Sequence, residues 1–181
     1  MQVALTVRIR LAAIHKKQLR YAVALWRRNS GYLDFVLDDR NSAYWRAYVG
    51  QSSNPIQRMG QHIRCIRDCE RESLHYYIIW MGAPFRSANF IRLWSIPYIA
   101  MDLPELQLIC QNIIELAMCR AFQSFPPSSL TQIFGEDAGN PYTCVELNIV
   151  SPLFQGLNLQ KEVCQYFTRQ IKSSPDPEIR L

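Results

Sequence analysis

The apolar positions of this chain follow two rhythms, and one yields to the other between Tyr48 and His62. Upstream, residues 31–38 and 43–50 carry aromatic and β-branched side chains, as half-buried strands do. Between them, Asp38-Asp39-Arg40-Asn41-Ser42 predicts a hairpin tip, because short polar side chains hydrogen-bond their own backbone in turns. Gly50 breaks the second strand. Ser53 or Asn54 can then cap a helix whose first turn holds Pro55. From there the period lengthens: Ile56, Met59, Ile63 and Ile66 recur every three or four residues and predict the core stripe of a helix over 55–71. Arg58 and His62, four residues apart, share a neighbouring face predicted to lie outside the core.

The same reading extends along the chain. Residues 3–11 alternate as a strand would, although Val7, Leu11 and Ile14 also suit a helix, and a helix through Trp26 stops at Asn29-Ser30-Gly31. The run Tyr76-Tyr77-Ile78-Ile79-Trp80, ended by Gly82 and Pro84, predicts a short buried strand, and residues 88–96 predict another. Asp102, with Glu105 three residues on and Pro104 between them, opens a helix to about 122. Within it Leu106, Ile109, Ile113 and Ala117 form the expected core stripe, leaving Glu115 with Gln111 and Asn112. Residues 126–143 are rich in Pro, Ser, Gly and Asn and read as loop. A short strand over 147–150 and a helix over 159–172 follow, and residues 173–181 read as a flexible tail. The predicted fold class is α/β (α+β), a small, mainly antiparallel central sheet flanked by helices. It is divided into a basic extension (1–29), one compact domain (30–172) and the tail.

Composition narrows the class. A hydrophobic share of 49% with 19% charged residues in 181 belongs to a globular chain with a core, not a disordered one. No apolar run approaches the ~20 residues of a membrane span, so no membrane partner is expected. The net charge of +5 is unevenly placed. Residues 1–72 hold thirteen Lys and Arg against six Asp and Glu, and the remainder seven against nine. The basic half contains Arg58 and His62, which suits a surface facing nucleic acid. Six cysteines without a Cys-x-x-Cys pair read as reduced, mostly buried thiols of an intracellular protein, not a secreted one. Nucleus and mitochondrion are the candidate compartments. His62, Cys65, Cys69 and His75 form a rival zinc set, but their spacing matches no standard zinc pattern.

The candidate chemistry gathers at the change of rhythm. A tyrosine at a strand end, a guanidinium and an imidazole near one point are groups that can orient water, grip a phosphate and carry a proton. Taken singly, each also has an ordinary role, as core aromatic, solvated helix arginine or satisfied histidine.

The stretch Tyr48-Val49-Gly50-Gln51-Ser52, followed by Arg58 and His62, resembles the second half of the signature of the GIY-YIG nucleases. The first half would be Ser30-Gly31-Tyr32 or Gly31-Tyr32-Leu33; a one-residue shift reverses a strand side chain, and the register with Tyr32 is adopted. The resemblance covers roughly residues 30–150. It implies a DNA endonuclease using Mg²⁺ or Mn²⁺ held by Glu115. Tyr48 and Tyr32 would handle the attacking water, Arg58 the phosphate and His62 the proton traffic. Asn148 would brace the site, with Asn140 as its rival. DNA is the implied partner, with a further protein as a candidate for targeting. The alternative is a catalytically degenerate module of the same fold that binds nucleic acid or a protein partner without cleavage.

Overall fold

The computed structural model describes residues 6–10, 26, 28–69, 73–97, 104–135, 145–154, 160–174 and 176–180. The expected N-terminal helix ending at Trp26, Asn140, Cys144 and the Asp102 cap lie outside the described residues, Trp26 itself excepted. The fold is α+β. Five strands, β1 (Thr6–Arg10), β2 (Ser30–Asp38), β3 (Asn41–Ser52), β4 (Arg86–Ser95) and β5 (Val145–Glu146), form one sheet in the order β1-β4-β2-β3-β5. The pairs β1/β4, β4/β2 and β2/β3 are antiparallel, and the short β5 lies parallel to β3. Helices α1 (Pro55–Arg67), α2 (Leu74–Met81), α3 (Pro104–Ala121), α4 (Pro127–Phe134) and α5 (Lys161–Lys172) accompany it.

The hairpin sets the geometry. Its register pairs Tyr32 with Gly50 and Asp34 with Tyr48, so the period of two sends Tyr32, Asp34 and Val36 to one face and Leu33 and Phe35 to the other. The first face packs with Met59, Ile66, Tyr76, Ile78, Ile79 and Phe90. The second packs Leu33, Ala47 and Val49 against Cys119, Phe125 and Leu130. Two glycines seat aromatic rings. A Cβ on Gly50 would stand 2.6 Å from the Tyr32 hydroxyl, and one on Gly31 would stand 2.0 Å from the Trp94 indole. At each, the missing side chain is the space a ring occupies.

Helix α1 begins as expected: the Asn54 side chain accepts from the Gln57 N–H, and Pro55 stands in the first turn. Several expectations change; the short strand expected over 147–150 lies at Val145–Glu146, and α1 ends at Arg67. Residues 76–80 are helical, not a strand. Ser73 accepts from the Tyr76 N–H and opens α2, and an apolar run of this length carries no periodicity that separates buried helix from buried strand. Pro127 opens α4 inside the expected loop, because Pro at the first helical position forfeits only an N–H that would be orphaned anyway. The carboxyl-terminal segment is packed, not frayed: Ile179 is buried, and Asp176 and Glu178 bind the buried guanidinium of Arg46 while Glu178 also binds Arg86. Finally, the face assignment of α3 is inverted. Leu106, Ile109, Ile113 and Ala117 are exposed, whereas Gln111, Asn112 and Glu115 are buried.

No helix among the described residues is long and apolar enough to cross a membrane. Cys65 and Cys119 are buried, but Cys110 and Cys164 are exposed, against the expectation of mostly buried thiols.

Candidate active site

Beside the β3 edge lies a cleft of about 590 Å³ whose lining includes Tyr48, Arg58, His75, Tyr76, Glu115 and Asn148. Four of the six residues singled out in the sequence therefore share one wall, although the chain between Tyr48 and Asn148 is 100 residues long. Each is delivered by a different element. Tyr48 comes from β3, Arg58 from the first turn of α1, Glu115 from the inward face of α3, and Asn148 from just beyond β5. Asn148 is fastened to the motif strand: its Oδ1 accepts from the Val49 N–H at 2.8 Å and its Nδ2 donates to the Val49 carbonyl at 2.8 Å. One side chain thus supplies both hydrogen bonds that a neighbouring strand residue would.

The other two, Tyr32 and His62, are wholly buried behind that wall. His62 was expected on a face outside the core; instead it packs edge-on to Tyr32 and against Phe90. What keeps a polar ring there is full satisfaction of its nitrogens. Tyr32 Oη lies 2.7 Å from His62 Nε2 and Tyr76 Oη lies 2.9 Å from Nδ1. Arg58 Nε donates to Tyr32 Oη at 3.2 Å. Because a guanidinium can only donate, the Tyr32 proton is directed to His62 Nε2. His62 is then the Nδ1–H tautomer and donates to Tyr76. The chain Arg58–Tyr32–His62–Tyr76 has one direction throughout and returns at Tyr76 to the cleft.

Burial raises the pKa of Tyr32 well above that of free tyrosine, and neighbouring Tyr48 adds to the rise while Arg58 works against it. Tyr48 is raised for the same first reason; Arg58 lowers it and Glu115 raises it further. Both are therefore neutral phenols near pH 7. His62 is pushed well below the usual histidine range, first by burial and then by electrostatic interaction with His75 and Arg58. It is a neutral hydrogen-bond link in the core.

Two residues that the motif did not indicate complete the setting. Asp34, buried in β2, accepts from the Asn89 N–H through Oδ1 at 2.9 Å and meets His75 Nε2 through Oδ2 at 2.5 Å. The His75 ring stacks on Tyr48, 4.8 Å between centroids and 4° from parallel. In the sequence His75 stands out only as a member of the rival zinc set. The available signal was Asp34 itself, a carboxylate in the middle of an otherwise apolar strand, which requires a partner once buried.

Among the described residues, no three His, Cys, Asp or Glu side chains gather closely enough to hold a metal by themselves, which removes the zinc set. No family model matches the chain, nor does any curated protein or any solved structure.

Proposed function

We propose that this protein is a metal-dependent endonuclease of the GIY-YIG type that hydrolyses DNA phosphodiester bonds at this cleft. The observation carrying the reading is the meeting of Tyr48, Arg58, Glu115 and Asn148 on one open wall. Hydrolysis of a phosphodiester needs an oriented water, positive charge for the phosphorane and relief of charge on the leaving oxygen. Arg58 is placed to grip the phosphate. Its Nε is held by Tyr32 and its Nη1 donates to Gln61 Oε1 at 2.7 Å, so the fork is oriented before substrate arrives. Tyr48, a neutral phenol, orients the water through its hydroxyl. Asn148 fixes the strand that presents it.

Glu115 fits a hard divalent cation, since Mg²⁺ and Mn²⁺ take oxygen ligands, need few protein carboxylates and keep several waters. Asn148 and Gln61 line the same cleft and are oxygen donors, not the thiolates and imidazoles that select zinc. A bound Mg²⁺ or Mn²⁺ would supply Lewis-acid charge to the phosphorane and the leaving oxygen. Tyr32 and His62 act on the substrate only through Arg58. The basic excess of the first 72 residues supports DNA as the partner.

The test is incubation of the full chain with supercoiled, linear and branched DNA in Mg²⁺ or Mn²⁺, beside Arg58→Ala and Glu115→Ala. Cutting that both substitutions abolish, with folding and DNA binding retained, is the expected outcome. Wild-type protein that binds DNA in a salt-sensitive manner but leaves all three substrates intact would be the degenerate binding module instead.

A further inference from the structure

The site as drawn has no base. Tyr48 is a neutral phenol whose burial opposes ionisation, and both nitrogens of His62 are committed inside the core. His75 is the other imidazole at hand, and it lines the cleft with Tyr48, Arg58 and Glu115. We propose that His75 is the general base of this site and that Asp34 is the residue that positions it.

Three observations carry this, and it rests on the nuclease reading above. First, Asp34 Oδ2 lies 2.5 Å from His75 Nε2, and a carboxylate takes the N–H of an imidazole. Nδ1 is left as the accepting nitrogen. Second, the His75 ring, itself only 3% exposed, is one of those that line the cleft with Tyr48, Arg58 and Glu115. Third, the ring cannot turn freely: it is stacked flat on Tyr48, edge-on to His62, and close to Tyr76. Asp34 is itself anchored by the Asn89 N–H. A base whose far nitrogen is bound to a buried carboxylate is held in one tautomer and one orientation, and the imidazolium that forms is stabilised.

In the step this assigns, Nδ1 takes a proton from the water as the water oxygen bonds to phosphorus. The bond from phosphorus to the leaving oxygen breaks with its electron pair on that oxygen, which takes a proton from solvent. His75 then releases its own proton to solvent. Water and diester become a phosphomonoester and an alcohol, with nothing oxidised or reduced.

The groups facing His75 are Asp34 from β2, Tyr48 from β3, His62 from α1 and Tyr76 from its own helix, with Arg58 and Glu115 sharing the cleft. Of these, removal of His75 or Asp34 is the direct test. With full-length protein, Mg²⁺ and plasmid DNA, His75→Ala is expected to slow cleavage by about 10²–10⁴-fold. It should also erase the acid limb of the pH–rate profile and recover rate when imidazole is added. The isosteric Asp34→Asn should slow cleavage and move that limb, with DNA binding unchanged. On metal-free wild-type protein, ¹⁵N NMR should show His75 protonated at Nε2 in the neutral ring. Wild-type cutting that His75→Ala leaves unchanged in rate and pH profile overturns the assignment. So does a wild-type His75 protonated at Nδ1, a measurement that decides the matter even if His75→Ala does not fold. If the wild type cuts no DNA, the nuclease reading falls and the role with it, whereas loss confined to the His75 and Asp34 variants sustains both.

Discussion

Helices α1 and α3 carry the same kind of pattern, apolar residues at three- and four-residue spacing beside a polar face, and they dock in opposite senses. In α1, Met59 and Ile66 go inward as the pattern predicts and Ile63 is half-buried, while Ile56 at the first turn is exposed. In α3 the polar face goes inward: Gln111, Asn112 and Glu115 are buried, and Ile109 and Ile113 are 51% and 54% exposed. Burial of a carboxylate and two amides in place of available isoleucines costs free energy unless every polar group is partnered. Asn112 accepts from Gln51 Nε2, so part of that cost is offset at the carboxyl end of the motif strand. The lesson is that an amphipathic stripe reports a helix, while which side faces the core depends on what the core needs at that place. Here Glu115 is the inward residue that reaches the cleft.

The contrast can be broken from either helix. The largest effect is expected at Glu115→Gln, which keeps the shape of the inward side chain and removes its charge. DNA cleavage should fall on the order of 10³-fold, about 4 kcal/mol of transition-state stabilisation, in a plasmid assay, with the thermal transition retained. Next comes Met59→Ala on the inward face of α1. It should cost about 2–5 kcal/mol in urea unfolding, as removal of a buried side chain from a packed core does. Gly50→Ala should follow at about 1–3 kcal/mol, because its Cβ would collide with the Tyr32 ring.

A smaller effect is expected from His62. Its pKa is held far below the ordinary value near 6.5, so the folded chain binds fewer protons than the unfolded chain once the pH drops below that value. Its contribution is complete above about pH 6.5 and is lost as the pH falls. The slope should be no more than about 1.4 kcal/mol per pH unit for this one proton. Unfolding followed between pH 7.5 and 5 should show this slope reduced in His62→Gln; an unchanged slope would place the titration elsewhere. The smallest effect is expected at Ile113→Ser on the outer face of α3, within about 0.5 kcal/mol. A loss comparable to that of Met59→Ala would mean that this face is covered in solution.

Much of this architecture was legible along the chain. The hairpin, the start of α1 at Asn54 and Pro55, β4 and the bounds of α3 and α5 all follow from local turn, cap and period chemistry. These depend on residues a few positions apart. The approach of Tyr48, Arg58, Glu115 and Asn148 to one cleft was anticipated only through resemblance to a motif. Spacing alone cannot measure a distance across 100 residues of chain. The helical state of residues 76–80 was not legible, because five apolar residues in a row look alike in either buried state. Nor was the docking of Asp176 and Glu178, whose partners Arg46 and Arg86 lie 130 and 92 residues away along the respective pairings.

What the sequence by itself determined, then, is the set of elements and the order in which they occur, since caps, turns and periodicities are short-range and act on the chain before it is folded. Only the tertiary structure decided which polar groups are sealed and which are open. His62 and His75 are both imidazoles flanked by apolar neighbours. One has both nitrogens bonded inside the core, and the other is bound to Asp34 and lines the cleft. The difference is made by Tyr32, Tyr76 and Asp34, and two of these three reach their histidine from strand β2. A hydrogen bond is satisfied by what lies about 3 Å away in space, and sequence distance places no bound on that.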